Sequence, residues 1–174
     1  MSFEHAESVR ILTATGNFTS SLGVLRMQYE ALVKAFWTLY SASDEAVDKL
    51  QAELTHTSAK AADKMPTLSE MLAVLSGKVP PQATHPLLEF KDYSWKPLSS
   101  YIHGGIHAIH RHSRGYPVAL LCQAAKSSNG LLIMAAMLLV ILSGDSRQTG
   151  KIRLLQQQFA DCLPDVPQCY SPSP

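Results

Sequence analysis

Between Phe18 and Ser41 the side chains Leu22, Leu25, Tyr29, Leu32, Phe36 and Leu39 recur at spacings of three, four, three, four and three, with no proline and no glycine after Gly23. Only a helix lines such positions up on one side. A seam this long has to be buried against other elements, and no β-branched run elsewhere alternates with period two, so the partners must be helices too. The chain is therefore predicted to be all-α, a single-domain bundle of about five to seven helices over residues 1–163, followed by a proline-rich tail at 164–174. With 174 residues, 46% of them hydrophobic, it needs no metal or disulfide support for its core.

Further helices follow from caps and stops. Ser43 or Asp44 can cap a helix through about Thr57 with Ala46, Val47, Leu50 and Leu54 as its apolar face. Together with the first seam it predicts an antiparallel hairpin. Residues 58–66 are polar, and Thr67 then caps a short helix carrying Leu68, Met71, Leu72 and Leu75 that Gly77 stops. Pro80, Pro81 and Pro86 mark 79–85 as a rigid connector, with a brief helix at 86–93. Residues 118–143 read as one helix or two, interrupted at Ser127–Gly130, and the apolar run Leu131–Leu142 within them is read as core because a bilayer needs about 20 residues. Asp145 or Ser146 caps a last helix, with Ile152, Leu155 and Phe159 as its face. Cys122, Cys162 and Cys169 form neither a disulfide framework nor a zinc pattern. The first residues lack the signature of a signal peptide, which places the protein in the cytoplasm with no membrane contact.

Charge is distributed unevenly. Residues 1–92 hold eight basic and eleven acidic side chains, whereas 93–144 hold Lys96, Arg111, Arg114 and Lys126 and no acid. That acid-free stretch also contains four of the seven histidines, in Tyr101 Ile102 His103 Gly104 Gly105 Ile106 His107 Ala108 Ile109 His110 Arg111 His112 Ser113 Arg114. Read as one helix starting at Lys96 Pro97, it gathers His103, His107, His110 and Arg114 within about 60°, beside a core-facing stripe of Leu98, Ile102, Ile106 and Ile109. His112 lies on the opposite side.

Three readings of the stripe compete. As a metal site, His103 and His107 at i and i+4 would share one cation, yet no acid of the stretch stands behind them. As an anion or RNA site, imidazoles with Arg111 and Arg114 would contact phosphate, and the same groups suffice for metal-independent RNA cleavage. As a packing edge, the histidines would bond to a neighbouring helix. Gly104 and Gly105 each cost a helix up to about 1 kcal/mol, so they imply close approach by a packed helix or a ligand. Arg26 and Glu30, four apart on the flank shared by Val33 and Trp37, are either a structural ion pair or the far wall of a pocket facing the histidines.

Two segments carry a family resemblance. Leu25 Arg26 Met27 Gln28 Tyr29 Glu30 Ala31 Leu32 Val33 Lys34 Ala35 Phe36 Trp37 and Leu98 Ser99 Ser100 Tyr101 Ile102 His103 Gly104 Gly105 resemble paired helices of uncharacterised bacterial HEPN-like bundles of the toxin–antitoxin and phage-defence type. The resemblance implies a helical core, a homodimer, and RNA or an antitoxin-like protein as partner; the residues themselves offer His103, His107, His110, Arg111 and Arg114 as catalytic candidates and Arg26 and Glu30 as binding candidates, and call for no cofactor. The arginine followed by four to six residues and a histidine found in active HEPN nucleases is missing. Ribonuclease chemistry would thus need other residues, or the chain is a catalytically silent dimerisation module. The chain is also similar in outline to DinB-like bundles, which would make His56, His103 and His107 metal ligands of a hydrolase or transferase.

Overall fold

A computed structural model of the chain describes residues 1–62 and 65–165. Among them there is no strand. The helices are α1 (Ser2–Ala14), α2 (Phe18–Tyr40), α3 (Asp44–Gln51), α4 (His56–Ala62), α5 (Leu68–Leu75), α6 (Pro81–Phe90), α7 (Lys96–Ile102), α8 (Ile106–Arg114), α9 (Val118–Ser143) and α10 (Arg147–Gln158), with a π turn at Lys91–Trp95 and a 3-10 turn at Ala160–Cys162. All-α architecture holds as expected. The segments outnumber the five to seven predicted because α1 was not foreseen and two expected helices are each divided.

The seam of α2 is the centre of the molecule. Leu22, Leu25, Tyr29, Leu32 and Phe36 are buried together with the flanking Val33 and Trp37, and only Leu39, the last position, emerges. Around α2 pack α1, α5, α7 and α9. The antiparallel partner of α2 across the Thr15–Asn17 turn is α1, not α3 as the sequence suggested. Ser21 Oγ donates to the Val9 carbonyl at 3.2 Å and lies 2.7 Å from Thr13 Oγ1, fixing the two helices side by side. Only Ala6 and Val9 of α1 are buried, so its apolar face is narrow and weakly written.

The helix expected from Ser43 to Thr57 ends at Gln51. Ser43 does cap α3, accepting from the Ala46 N–H, but Thr55 and Ser58 then take each other's backbone N–H groups, at 2.8 and 3.1 Å, and start α4. Short hydroxyl side chains compete with helix continuation in this way. The polar stretch from 58 is consequently helical as far as Ala62, and α3 contributes no buried residue. Thr67 caps α5 through a full capping box with Glu70, as its spacing implies, and Met71, Leu72 and Leu75 enter the core.

Residues 79–85 are not a connector. Pro81 occupies the first turn of α6, where its missing N–H costs nothing, and the rod continues through the π turn into α7. Pro97 cannot donate to the residue four before it, and the ladder is widened to π geometry immediately ahead of it. Tyr29 inserts beside this widened turn, stacked on Phe90 at 4.4 Å and edge-on to Trp95 at 6.0 Å, with its hydroxyl donating to the Leu87 carbonyl at 2.6 Å.

Helix α9 is unbroken. Its Ser127–Gly130 stretch is a docking point instead of an interruption: Ser128 faces α2, Asn129 Nδ2 donates to the Cys162 carbonyl at 3.0 Å, and Pro164 lies so near Gly130 that a Cβ there would meet it at 2.9 Å. Inside the core, Gln28 Nε2 donates to the Ser128 carbonyl at 2.9 Å and Ser128 Oγ donates back to Gln28 Oε1 at 2.7 Å. Leu131, Ala135 and Leu138 are buried, but Leu139, Ile141 and Leu142, which the sequence assigned to the core, are exposed. Among the described residues α9 alone is long and apolar enough to cross a membrane, by length and composition, with 22% of its most apolar window buried in the bundle. Cys122 is exposed on it and Cys162 is also exposed, neither in a disulfide. Cys169 and most of the proline-rich tail lie outside the described residues.

Candidate functional site

The histidine stretch is two helices joined by an elbow, and the single helix read from the sequence does not form. Helix α7 closes at His103, Gly104 adopts φ +62°, and Gly105 begins α8 in extended conformation. Across the bend, the Ser100 hydroxyl accepts the His107 N–H at 2.9 Å and the Ser100 carbonyl accepts the Gly105 N–H at 2.8 Å. A Cβ on Gly105 would sit 2.7 Å from Ser100 Oγ. Each glycine therefore has its own reason: Gly104 supplies a left-handed turn that β-carbon-bearing residues resist, and Gly105 makes room for the cap. The close approach inferred from the pair is made by the preceding helix.

On α8 the buried position is Ala108. Ile106 and Ile109, expected to face the core, are 74% and 61% exposed, and Ile102 at the end of α7 is also exposed. The core-facing stripe thus ends at Leu98: Ile102 already emerges at the end of α7, and beyond the elbow α8 turns Ala108 inward in place of its isoleucines. His107, His110 and Arg114 still share one face of α8, outward and next to Ile106 and Ile109. His103 caps α7 and does not belong to that face.

Arg111 leaves it as well. Half-buried, it lies against the Tyr101 hydroxyl. Burial pushes the Tyr101 phenol above its ordinary value, the neighbouring Tyr116 adds to this, and Arg111 pulls in the other direction. Tyr116 follows Gly115, whose φ of +89° ends α8. It packs on Phe18 with centroids 5.2 Å apart, and its hydroxyl is 2.5 Å from Thr19 Oγ1. Tyr101, Arg111, Tyr116 and Thr19 form a polar buttress that ties α8 to the start of α2. Sequence reasoning missed it, since the four residues span almost a hundred positions and no local spacing joins them.

Of the four cations in the acid-free stretch, Lys126 meets Asp165 at 3.8 Å on α9 and Arg111 is in the buttress. Among the described residues no acid pairs with Arg114 or Lys96, and His103, His107 and His110 have no side-chain partner, so nothing fixes an imidazole tautomer against a base or nucleophile.

Arg26 and Glu30 form the ion pair that their spacing allows. Arg26 stacks on Trp95 of the π turn, 4.0 Å from the ring centroid, and its Nε lies 2.9 Å from Glu30 Oε1. The side chain is only 14% exposed. Nε and Nη1 are buried without a well-directed hydrogen bond. The stack ties the π turn to α2. Among the described residues no three His, Cys, Asp or Glu side chains come together as a metal site, and His56 opens α4 while His103 closes α7.

The arrangement defines an all-α bundle that displays a short basic helix, capped and buttressed but otherwise uncovered. The chain belongs to a family of unknown function, DUF6988, whose model matches residues 1–165. No curated protein and no solved structure matches it.

Proposed function

We propose that this chain is a binding module that engages single-stranded RNA through the outward face of α8. One observation carries the reading: His107, His110 and Arg114 stand together on an exposed helix face, within a 52-residue stretch that has no acid to neutralise them. A guanidinium and imidazoles set side by side suit successive phosphates. Ile106 and Ile109 alongside offer apolar surface to unstacked bases. Binding fits this geometry better than cleavage, because no imidazole is held by a second group that would make it a base. The HEPN-like resemblance supports the same class of partner and a defence or toxin–antitoxin setting.

The test is fluorescence anisotropy with a labelled single-stranded RNA of about 20 nucleotides, titrated at low and at physiological salt. Affinity should fall with salt, with a logarithmic slope of about −0.7 per phosphate contacted. Arg114→Ala should make that slope shallower by roughly one contact, and His107→Ala with His110→Ala should weaken binding further. No binding at low salt, or binding that these variants leave unchanged, overturns the proposal.

A further inference from the structure

On a different part of the molecule an apolar trough of about 950 Å³ runs along the outer side of α2, walled by the start of α1, by α5 and by the C-terminal turns of α9. Its floor is made of Met27, Ala31 and Ala35, whose small or flexible side chains keep it wide, and its rims are the exposed Phe3, Leu39 and Leu142. Its lining is mostly apolar, so a partner that covers it would remove apolar surface from water.

We infer that the trough is a docking site for an amphipathic helix of a partner protein, one that carries an acidic side chain toward Lys34. Shape comes first. From Met27 to Leu39 the floor is about 18 Å long, the length of about 12 residues of helix, and it lies open to solvent along one side. A small ligand would be left half uncovered there, whereas an amphipathic helix buries only one face and keeps the other in water. Composition agrees. Met1, Met27 and Met71, half of the methionines in the chain, line the trough, and flexible thioether side chains adapt to a partner helix.

Charge selects the partner. Glu30 on the wall is already held by Arg26, and Thr38 turns its hydroxyl to the Lys34 carbonyl. Lys34 is exposed and pairs with no acid among the described residues, which leaves an unneutralised side-chain cation on the wall, where Met1 and His5 add no negative charge. The Ser2 hydroxyl, also on the wall, is buried with no hydrogen-bond partner. An acidic flank on the incoming helix answers Lys34, and a basic one is repelled.

The probe is a fluorescein-labelled synthetic peptide of about 14 residues, with leucines at 3-4-3 spacing and glutamates on both flanks. It is compared with a scrambled peptide of the same composition and with a lysine-flanked version. The acidic amphipathic peptide should give saturable anisotropy, and the other two should bind about tenfold more weakly or worse. Lys34→Glu should reverse the preference toward the lysine-flanked peptide. Ala35→Trp, at an exposed position, should fill the trough and abolish binding while circular dichroism remains that of the wild type. Absence of binding, equal binding of the scrambled peptide, or an unchanged preference in Lys34→Glu overturns the inference. So does light scattering that shows a stable dimer which Ala35→Trp converts to monomer, since a second copy would then be the occupant.

Discussion

Gln28 shows how much one side chain can decide. It is fully buried in the middle of α2, and both ends of its amide are matched by Ser128, which gives and receives at once. A buried amide left without partners costs about 1–3 kcal/mol, while removal of both partners together costs much less. Ser128→Ala is therefore expected to lower unfolding free energy by about 1–3 kcal/mol, and Gln28→Leu combined with Ser128→Ala to recover most of that loss. Urea denaturation of the two single variants and the double variant checks this; additive losses would mean that the pair is not a closed exchange. Nothing in the sequence announces the pair, because Gln28 reads as a polar flank of the seam and Ser128 as part of a helix interruption.

The elbow between α7 and α8 belongs to the scale of elements. Its chemistry is local, a serine hydroxyl on the next helix's N-terminus and a glycine that admits it, yet it decides where a whole helix points. Gly105→Ala would drive a methyl group to 2.7 Å from Ser100 Oγ, so the expected cost is about 1–3 kcal/mol. Ser100→Ala should cost about 1 kcal/mol as a lost cap. In the double variant the two losses should sum to more than the measured one, since removal of the hydroxyl removes its clash. Thermal melts of the three proteins, monitored at 222 nm, give the cycle.

Legibility at this scale divides along the same line. The α2 seam and the Thr67 capping box were readable because spacing and cap lie within a few residues of one another. The direction of α8 was not, since the glycine pair could be recognised as a close approach without revealing that Ser100 makes it. Once the bend is present, Ile106 and Ile109 turn to solvent, His103 separates from His107, and Arg111 finds Tyr101. Helix α1 was missed for the opposite reason: it depends on α2 for its stability and brings only Ala6 and Val9 to the bargain.

At the scale of the molecule, the aromatic group around the π turn sets how the fold responds to alkali. Burial pushes the Tyr29 phenol well above its ordinary value of 10.0, with the charge of Asp92 adding to the shift. Burial also raises Tyr101. A group whose folded value is raised gives its stabilisation in full below the unfolded value, and that contribution is lost as pH climbs from there toward the folded value. The melting temperature should therefore be insensitive to Tyr29 ionisation below pH 10 and fall above it. Tyr29→Phe starts less stable, having lost the bond to the Leu87 carbonyl, but its melting temperature should decline less steeply above pH 10. Parallel declines in the two proteins would exclude Tyr29 as the source.

One consequence of the Gln28 and Ser128 exchange reaches beyond stability. Helix α9 is apolar almost all round, and a cylinder of that kind can slide or rotate against its neighbours at little hydrophobic cost. A shift of one turn, about 5.4 Å, would set Leu131 or Ala124 opposite the Gln28 amide and strand it. The two polar side chains thus act as a key cut for a single position: they add little to the affinity of α9 for the bundle, but they leave it one frame in which to sit.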